Sequence, residues 1–283
     1  MNVPEISLII SFYNKIDALR MVLASLELQK FKKFEVIISD DGSSDGIKRE
    51  LIDIVSKSSL DISHVWHEDK GWRKNIALNK AIQASKSNYL VFIDGDCILH
   101  PFCLLEHYNH KEPGYVIAGR RVNLSEKITD SLNPEKIIKG DLWRRYRIRL
   151  FLGGLLKKTR HFENAIYIKS PVFRKTINKK DKGILGSHFS LYKDDILSVN
   201  GFDERYLTPA AGEDSDLEFR LRRNGIKIKT LKHIAIQYHL YHPVLFRDKK
   251  NLKILRQTIK DGVIYTPYGI NKDQTARKSI PKD

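Results

Sequence analysis

The stretch YLVFIDGD, residues 89–96, ends an apolar run with two aspartates one residue apart. The apolar part, 89–94, predicts a buried strand. In an extended segment, residues i and i+2 point to the same side, so Asp94 and Asp96 can face one site together. Carboxylate oxygens suit a hard divalent cation such as Mg²⁺ or Mn²⁺. Asp-Gly-Asp is also good turn chemistry, so the motif by itself leaves both interpretations open.

Outward from this stretch, apolar strand candidates alternate with segments of helical periodicity. Strands and helices that recur at intervals of roughly thirty residues are typical of an α/β layer with a parallel sheet. We therefore predict an α/β fold with a mostly parallel sheet flanked by helices. The predicted strands are ISLIISF (6–12), the apolar part of FEVIISDDGSSDG (34–46), ISHVWHED (62–69) and YLVFID (89–94), and the predicted helices cover 13–29, 47–57 and 70–85.

Polar residues follow three of these strands. Open parallel sheets bind ligands at the carboxyl ends of their strands, so we expect these side chains to converge on one edge. The dinucleotide fingerprint G-x-G-x-x-G is absent, so nothing supports an NAD-type enzyme. The polar pairs are Tyr13 and Asn14, Asp40 and Asp41, and Asp94 and Asp96.

The composition is that of a basic globular protein. Lys and Arg number 50 and Asp and Glu 34, a formal net charge of +16 over 283 residues. This balance indicates a polyanionic partner: nucleic acid, an anionic membrane surface or phosphorylated small molecules. The two cysteines, Cys97 and Cys103, indicate neither a disulfide framework nor a zinc site, and they fit a reducing compartment. Signal-peptide features and runs of about 18 apolar residues are lacking, so we expect a cytoplasmic protein without a membrane-spanning helix.

The chain changes character at residues 134–160, where arginines are interleaved with aromatic residues. We predict a sheet domain over 1–245 that contains a basic helical insertion at about 134–182, followed by a basic C-terminal tail over 246–283. An amphipathic helix of this composition can lie on an anionic inner membrane. An ordinary solvated helix is the alternative, and the interleaving favours the membrane.

Two further motifs each have a structural and a functional interpretation. SDDGSSDG (39–46) fits a turn that starts a helix with a serine cap, or a strand end whose acid accepts hydrogen bonds from a base or ribose. EDKGWRKNIALN (68–79) places Lys70, Arg73 and Lys74 at a predicted helix start, where a phosphate binds well. Basic residues in a solvated first turn are the alternative there.

Acids and histidines mark the C-terminal half. GEDSDLEFRLRRNG (212–225) has four acids within six positions, which the dipole of a helix start favours. One of them could instead serve as a general base within reach of a bound hydroxyl group. QYHLYHP (237–243) has two histidines three residues apart, which are either incidental or neutral ligands of a cation.

In this order the motifs resemble those of the GT-A glycosyltransferases, specifically the inverting family 2 enzymes that build bacterial surface polysaccharides. The likeness covers about residues 5–243, from SLIISFYN through VIISDDGSSDG to GEDSDLEFRLRRNGI and YHLYHP. DKGWRKNIALN, DGD and GEDSDLEFRL together look most like the chondroitin-polymerase and galactosyltransferase-like branch. The resemblance implies a Rossmann-like GT-A fold and metal-dependent, inverting transfer from a UDP-sugar. The acceptor would be a saccharide or lipid-linked glycan of a lipopolysaccharide, capsule or similar polymer.

The resemblance also implies roles for matching positions. Asp214 would be the catalytic base, and Glu213 would hold the acceptor or the donor sugar. Asp96 would bind Mn²⁺ or Mg²⁺ directly, with Asp94 on the metal or the ribose and His239 or His242 completing the site. GSHFSLYK (186–193) matches a loop that walls the donor sugar. The implied donor-binding residues are Phe12, Tyr13, Asn14, Asp40, Asp41, Lys70, Gly71, Arg73, Asn75, Asp94, Gly95 and Asp96.

One departure and two competing functions accompany this interpretation. Many relatives carry Trp-Gly or Gly-Gly before Glu-Asp, in a loop that often touches the acceptor, where this chain has Ala210 and Ala211. The resemblance therefore does not extend to acceptor recognition. A glycoside hydrolase also uses two carboxylates, but it needs neither nucleotide nor metal. A non-catalytic nucleic-acid- or membrane-binding protein on a GT-A-like scaffold would explain the charge. The acids at the strand ends would repel a phosphate backbone, so we predict no nucleic-acid partner.

Overall fold

The computed structural model describes residues 3–144, 160–178, 180–209, 212–243 and 250–272. The strands are β1 (Ile6–Phe12), β2 (Phe34–Asp40), β3 (Ile62–Trp66), β4 (Tyr89–Asp94), β5 (Cys97–Leu99), β6 (Tyr115–Ala118), β7 (Arg120–Asn123), β8 (His188–Tyr192), β9 (Lys227–Thr230) and β10 (Ile236–His239). The helices are α1 (Ile16–Glu27), α2 (Asp45–Lys57), α3 (Lys74–Ala84), α4 (Cys103–Asn109), α5 (Glu126–Asp130), α6 (Pro134–Ile138), α7 (Asp141–Arg144), α8 (Pro171–Ile177), α9 (Lys193–Leu197), α10 (Glu213–Arg223) and α11 (Lys250–Asp261), with a short 3₁₀ turn at Phe162–Ala165.

The predicted α/β fold is confirmed. In the described part of the chain, the large sheet has the strand order β3-β2-β1-β4-β8-β6-β9. Strands β1 to β4 run parallel, and β8 is antiparallel to both of its neighbours. A small sheet of order β5-β10-β7 lies beside it.

The central strands are covered by helices on both faces. In β1, Leu8 and Ile10 pack with Leu19 of α1, whereas Ile9 packs on the opposite face with Leu78 of α3. Burial on both faces explains why the strand is a continuous apolar run rather than an alternating one. Each such fully buried aliphatic side chain contributes about 1.5–3 kcal/mol to the free energy of unfolding.

The strand register brings the predicted polar ends to one edge. Phe12 pairs with Asp40 across β1 and β2, and Ser11 pairs with Asp94 across β1 and β4. In the small sheet, His239 pairs with Cys97, the residue that follows Asp96. The small sheet therefore places His239, from the C-terminal half of the chain, beside the Asp-Gly-Asp turn.

Several predicted elements differ in their bounds. The helix expected at 13–29 spans Ile16–Glu27, the helix expected at 47–57 begins at Asp45, and the strand expected at 62–69 ends at Trp66. The helix expected at 70–85 begins at Lys74, because Gly71 adopts a φ of +81° in a loop that precedes it. In the basic insertion, α6 and α7 are separate short helices, since Gly140 at φ +74° interrupts them. The remainder of the predicted amphipathic helix, 145–159, lies outside the described residues, as do Ala210 and Ala211.

The C-terminal region packs against the sheet domain. The amide of Asn251 on α11 donates to the carbonyl of Thr208 at 2.7 Å, and Thr266 donates to the buried carboxylate of Asp203 at 2.7 Å. The domain boundary expected at 245/246 stays a prediction. Among the described residues, no helix combines the length and the apolar character needed to cross a membrane.

Candidate active site at the carboxyl ends of the strands

Asp96 is held in a tight turn between β4 and β5. The Gly95 amide donates to the Ser11 carbonyl at 2.8 Å, and a Cβ at position 95 would lie 3.0 Å from that oxygen. A side chain there would push the turn off β1. The glycine therefore lets the two aspartates emerge at the edge of the sheet.

Asp96, His239 and His242 form a group that we call the open cluster. His239 Nε2 lies 3.5 Å from Asp96 Oδ1, and His242 Nε2 lies 3.6 Å from Asp96 Oδ2. One ligand atom from each residue falls within 4.8 Å of the others. Burial lowers the pKa of His239 despite the nearby Asp96 carboxylate, so its imidazole is neutral and its lone pair is available. These three side chains could hold a divalent cation, and both histidines lie beside Asp96.

Asp94 faces a different partner. Its Oδ1 lies 2.8 Å from Lys74 Nζ. Burial raises the pKa of Asp94, but the charge and hydrogen bond of Lys74, together with the charges of His239 and Arg121, hold the pKa below its usual value. Burial likewise opposes the charge on Lys74, whose pKa is nevertheless raised by Asp94 and Asp214. Asp94 is thus ionised beside Lys74, and its predicted contact with a metal or ribose stays a prediction.

Asp214 lies at the start of α10 and turns inward. Its Oδ2 accepts the Gly186 amide at 3.2 Å, and a Cβ at position 186 would lie 1.9 Å from its Oδ1. Burial raises the pKa of Asp214, with Lys74 opposing and Asp94 reinforcing the shift. Burial and the Asp214 charge raise the pKa of Glu213 in the same way. A carboxylate with a raised pKa is a stronger proton acceptor than a solvated one.

The two aspartates at the end of β2 have separate environments. Asp40 is fully buried, accepting the Ser43 amide and facing His64 Nε2, both at 2.8 Å. Asp41 faces His67 Nε2 at 2.8 Å and accepts the backbone amide of Arg73 at 2.8 Å. Burial raises the pKa of Asp41. Asp40 therefore fixes the turn, and Asp41 joins that turn to the loop before α3.

The residues after β1 connect neighbouring loops. Asn14 adopts a φ of 55°, and its side-chain oxygen accepts the Ser44 amide at 3.0 Å. Tyr13 is 48% exposed, and its hydroxyl donates to Asp69 at 3.0 Å. Phe12 is buried in the core. Tyr13 is thus the member of this trio whose ring is open to a ligand.

The predicted donor-binding residues before and in α3 do not all meet the acidic groups. Lys70 is exposed and pairs with Glu68 at 2.9 Å, next to the loop glycine Gly71. The Arg73 guanidinium donates to the Glu68 carbonyl. Asn75 is buried and donates to the Asp203 carbonyl at 2.7 Å. Of the three cations expected at this helix start, Lys74 is the one that pairs with an acid of the site, Asp94.

Sequence reasoning missed two cations of the site. Lys15 Nζ lies 3.3 Å from Asp96 Oδ2. The Arg121 guanidinium donates to Ser187 Oγ at 3.2 Å, and its charge acts on both Asp94 and Asp214. Lys15 directly follows Tyr13 and Asn14, so its position next to a predicted ligand-binding pair was a signal in the sequence. Arg121 carries no motif signal, because it reaches the site through the small sheet.

Comparisons with known proteins give a family for this chain. A profile described as "Glycosyl transferase family 2" matches residues 7–174, more than half of the chain. A second, described as "N-terminal domain of galactosyltransferase", matches residues 171–243. The chondroitin synthase of Escherichia coli is 24% identical over 255 residues, which cover 85% of this chain and 35% of that protein.

Two solved structures share the fold. The fragment 1–349 of S. aureus TarS, in complex with UDP-GlcNAc, aligns with a TM-score of 0.58 at 14% identity over 90% of this chain and 65% of that one. The mannosyltransferase PcManGT from Pyrobaculum calidifontis, in complex with GDP-Man and Mn²⁺, gives a TM-score of 0.55 at 16% identity, covering 90% and 61%. The chain spans about a third of the chondroitin synthase and less than two thirds of either solved chain.

Proposed function

The chain belongs to glycosyl transferase family 2 and is a glycosyltransferase, and on that premise we propose a specific reaction for it. It transfers a sugar, with inversion and with a divalent cation, from a UDP-sugar to a hydroxyl group of a saccharide acceptor in a bacterial surface glycan. The main support is the convergence of Asp214, the Asp94–Lys74 pair and the open cluster at one edge of the sheet. Among the described residues, the one other set of three potential metal ligands contains no carboxylate.

The open cluster fits a resident cation by its donor chemistry. It offers a carboxylate and two imidazoles, a mixed oxygen and nitrogen set. Mg²⁺ is bound through oxygen ligands, whereas Mn²⁺ accepts an imidazole beside carboxylate oxygens, so of the two expected ions Mn²⁺ fits better than Mg²⁺. When bound, such a cation neutralises charge on the diphosphate of the donor. Mn²⁺ accompanies the nucleotide sugar in the PcManGT complex, which agrees with this assignment.

Asp214 supplies the base of the proposed reaction. Its carboxylate takes the proton of the acceptor hydroxyl, whose oxygen forms a bond to the anomeric carbon on the face opposite the diphosphate. The bond from that carbon to the diphosphate oxygen breaks, and the electron pair leaves with UDP. A single displacement of this kind inverts the anomeric configuration. Lys74 pairs with Asp94, and its charge also acts on Asp214 while that base is still ionised.

The nucleoside would bind over the loops that follow β1 and β2. The exposed ring of Tyr13 offers a stacking surface, and Asp41 is fixed by two hydrogen bonds at the strand end. The TarS complex contains UDP-GlcNAc and the PcManGT complex GDP-Man, so the donor test includes both nucleotides. We assign UDP on the strength of the family resemblance of these loops.

Lipid-linked glycan acceptors lie at the inner membrane. The proposal therefore includes a peripheral position of the protein on that anionic surface. Helix α8 exposes Val172 at 73% and Phe173 at 65% beside Lys175. Apolar residues next to cations are typical of interfacial helices. Sedimentation with anionic liposomes checks this point: Phe173→Ser should weaken the binding. Equal sedimentation of both forms would remove the membrane contact from the proposal.

The reaction itself is tested by nucleotide release. The full chain is incubated with UDP-GlcNAc, UDP-GalNAc, UDP-Glc, UDP-Gal and GDP-Man in the presence of Mn²⁺, Mg²⁺ or EDTA. We expect release of UDP from one donor, which EDTA abolishes and Asp96→Ala reduces to the EDTA level. Asp53→Ala, which removes an exposed acid paired with Lys57, serves as the control and should behave as wild type. Release that is indifferent to EDTA and to Asp96→Ala would overturn the metal dependence, and release from GDP-Man alone would overturn the choice of UDP.

A further inference from the structure

A second group of potential ligands is buried in the core next to the catalytic edge, where His188 pairs with Ile93, the residue before Asp94. Cys103 and His107 sit one turn apart on α4, and His188 begins β8. The side chains of all three residues are completely buried. We call this group the closed cluster. Among the described residues, it is the one other set of three potential metal ligands whose ligand atoms lie within 4.8 Å of one another.

The three donor atoms of the closed cluster lie close together, within 4.8 Å of one another. His107 Nε2 and His188 Nε2 lie 3.0 Å apart, and Cys103 Sγ lies 3.4 Å from His188 Nε2. Bonds of about 2.0–2.1 Å to nitrogen and 2.3 Å to sulfur in a tetrahedron place such atoms roughly 3.3–3.6 Å apart. The observed separations are within a few tenths of an ångström of these values, so a small expansion accommodates an ion.

The outer nitrogen of each imidazole is already held. His107 Nδ1 lies 2.7 Å from Ser190 Oγ, and His188 Nδ1 lies 3.3 Å from the Arg120 carbonyl. Ligating histidines usually donate their second N–H to such an oxygen, which fixes the tautomer and turns the other nitrogen toward the metal. A Cβ at Gly119 would lie 2.2 Å from the His188 ring, so the backbone clamps that ring in place.

From this geometry we propose that Cys103, His107 and His188 bind one thiophilic transition-metal ion, Zn²⁺ or Cu(I), as a structural site. A thiolate with two imidazoles is a ligand set that both ions accept. A single thiolate leaves a net charge of +1 with Zn²⁺ and zero with Cu(I). The carboxylate of Glu106, next to His107 in the chain, acts electrostatically on the thiol and lies in the same region. The site is independent of the proposed glycosyl transfer.

The protonation state of the cluster agrees with this role. Burial lowers the pKa of His188 to about 3 and also lowers that of His107, so both imidazoles are in the neutral, ligating form. Burial raises the pKa of the Cys103 thiol, so without an ion the cluster is uncharged. Metal binding lowers the thiol pKa, and the thiol proton leaves to solvent as the metal–sulfur bond forms. Without an ion, a hydrogen-bond chain through the three residues would fill the same space.

The test uses Co²⁺ as the probe, because a thiolate–cobalt charge-transfer band reports a cysteine ligand and the open cluster has none. The full chain is expressed in cobalt-supplemented medium and purified without a metal-affinity step. We expect the band in wild type and in Asp96→Ala, with about one Co²⁺ retained per chain in the latter. Expression with equal Zn²⁺ and copper, followed by elemental analysis, identifies the preferred ion, and retention of either supports the site.

The two cysteines provide a matched control. Cys97 is as buried as Cys103, but its Sγ lies 3.0 Å from Gln237 Nε2 and 3.7 Å from Asp96 Oδ1. Its thiol therefore lies beside the open cluster and outside the closed one. Cys97→Ser should keep the band, whereas Cys103→Ser and His107→Gln should each lose it completely. Circular dichroism shows which variants are folded. One folded variant, Cys103→Ser or His107→Gln, suffices for the test. Absence of the band from wild type, or its survival in a folded Cys103→Ser or His107→Gln variant, would overturn the proposal in favour of a hydrogen-bonded core.

Discussion

The open and closed clusters combine imidazoles with one acidic ligand each, yet their surroundings differ. Side chains of the open cluster are 12–29% exposed, and Lys15 lies within 3.3 Å of Asp96. Cys103, His107 and His188 are 0% exposed and contact Ser190 and backbone. An ion in the open cluster can meet a substrate, and one in the closed cluster can only meet protein. Exposure therefore separates a catalytic role from a structural one where ligand type alone does not.

The largest expected effect falls on the base beside the open cluster. Asp214→Asn keeps the shape of the side chain and an oxygen for the Gly186 amide, but it cannot take a proton. Transfer should fall about 10³-fold, within the range of general base catalysis, while donor binding is unchanged. Nucleotide release and donor calorimetry measure the two quantities. Ser215→Ala, at the exposed neighbouring position, is the control, and wild-type transfer by Asp214→Asn would remove Asp214 from the mechanism.

The same substitution, glycine to alanine, can be compared beside Asp214, at Gly186, and beside the closed cluster, at Gly119. In Gly186→Ala the Cβ meets the Asp214 carboxylate, which can swing away, so transfer should fall about 100-fold with little change in stability. In Gly119→Ala it meets the packed His188 ring, so the free energy of unfolding should fall by about 1–3 kcal/mol and the cobalt band should weaken. Urea unfolding and nucleotide release compare them. If Gly119→Ala were as stable as wild type, His188 would not be clamped as described.

The two histidines of the open cluster should contribute separately. His239→Ala and His242→Ala each remove one imidazole from beside Asp96, and each should raise the Mn²⁺ concentration for half-maximal activity at least about tenfold. The cobalt band of the closed cluster should persist in both variants. Activity titrated against Mn²⁺ gives the comparison. An unchanged requirement in one variant would show that only the other histidine contacts the ion.

The smallest expected effect is a displacement of the pH profile. Burial raises the pKa of Asp214, and the Lys74 charge opposes that rise. Transfer needs the ionised carboxylate, so the rate falls as the pH drops through this pKa. In Lys74→Met the opposing charge is gone, the pKa rises further, and the acid limb of kcat/KM moves to higher pH. Lys80 lies on the exposed side of the same helix, so Lys80→Met should leave the acid limb in place. The same acid limb in wild type, Lys74→Met and Lys80→Met would show that the Lys74 charge does not act on Asp214.

Much of the fold could be predicted from local patterns. The strands at 6–12 and 89–94 have the predicted bounds, because apolar runs between turn residues specify fully covered strands. The start of α3 was predicted four residues too early, since the conformation of Gly71 depends on its loop. The convergence of the strand ends was also predictable, because parallel strands place their carboxyl ends on one edge.

The sequence by itself determined the sheet, the Asp-Gly-Asp turn and the acids at the start of α10, because each depends on neighbours a few positions away. Only the tertiary structure decided that both histidines reach Asp96, that Lys15, Lys74 and Arg121 balance the acids, and that Cys103 meets His188. Cys103 and His188 are 85 positions apart in the chain. Contacts of that separation follow from strand order and packing, which composition and periodicity do not specify.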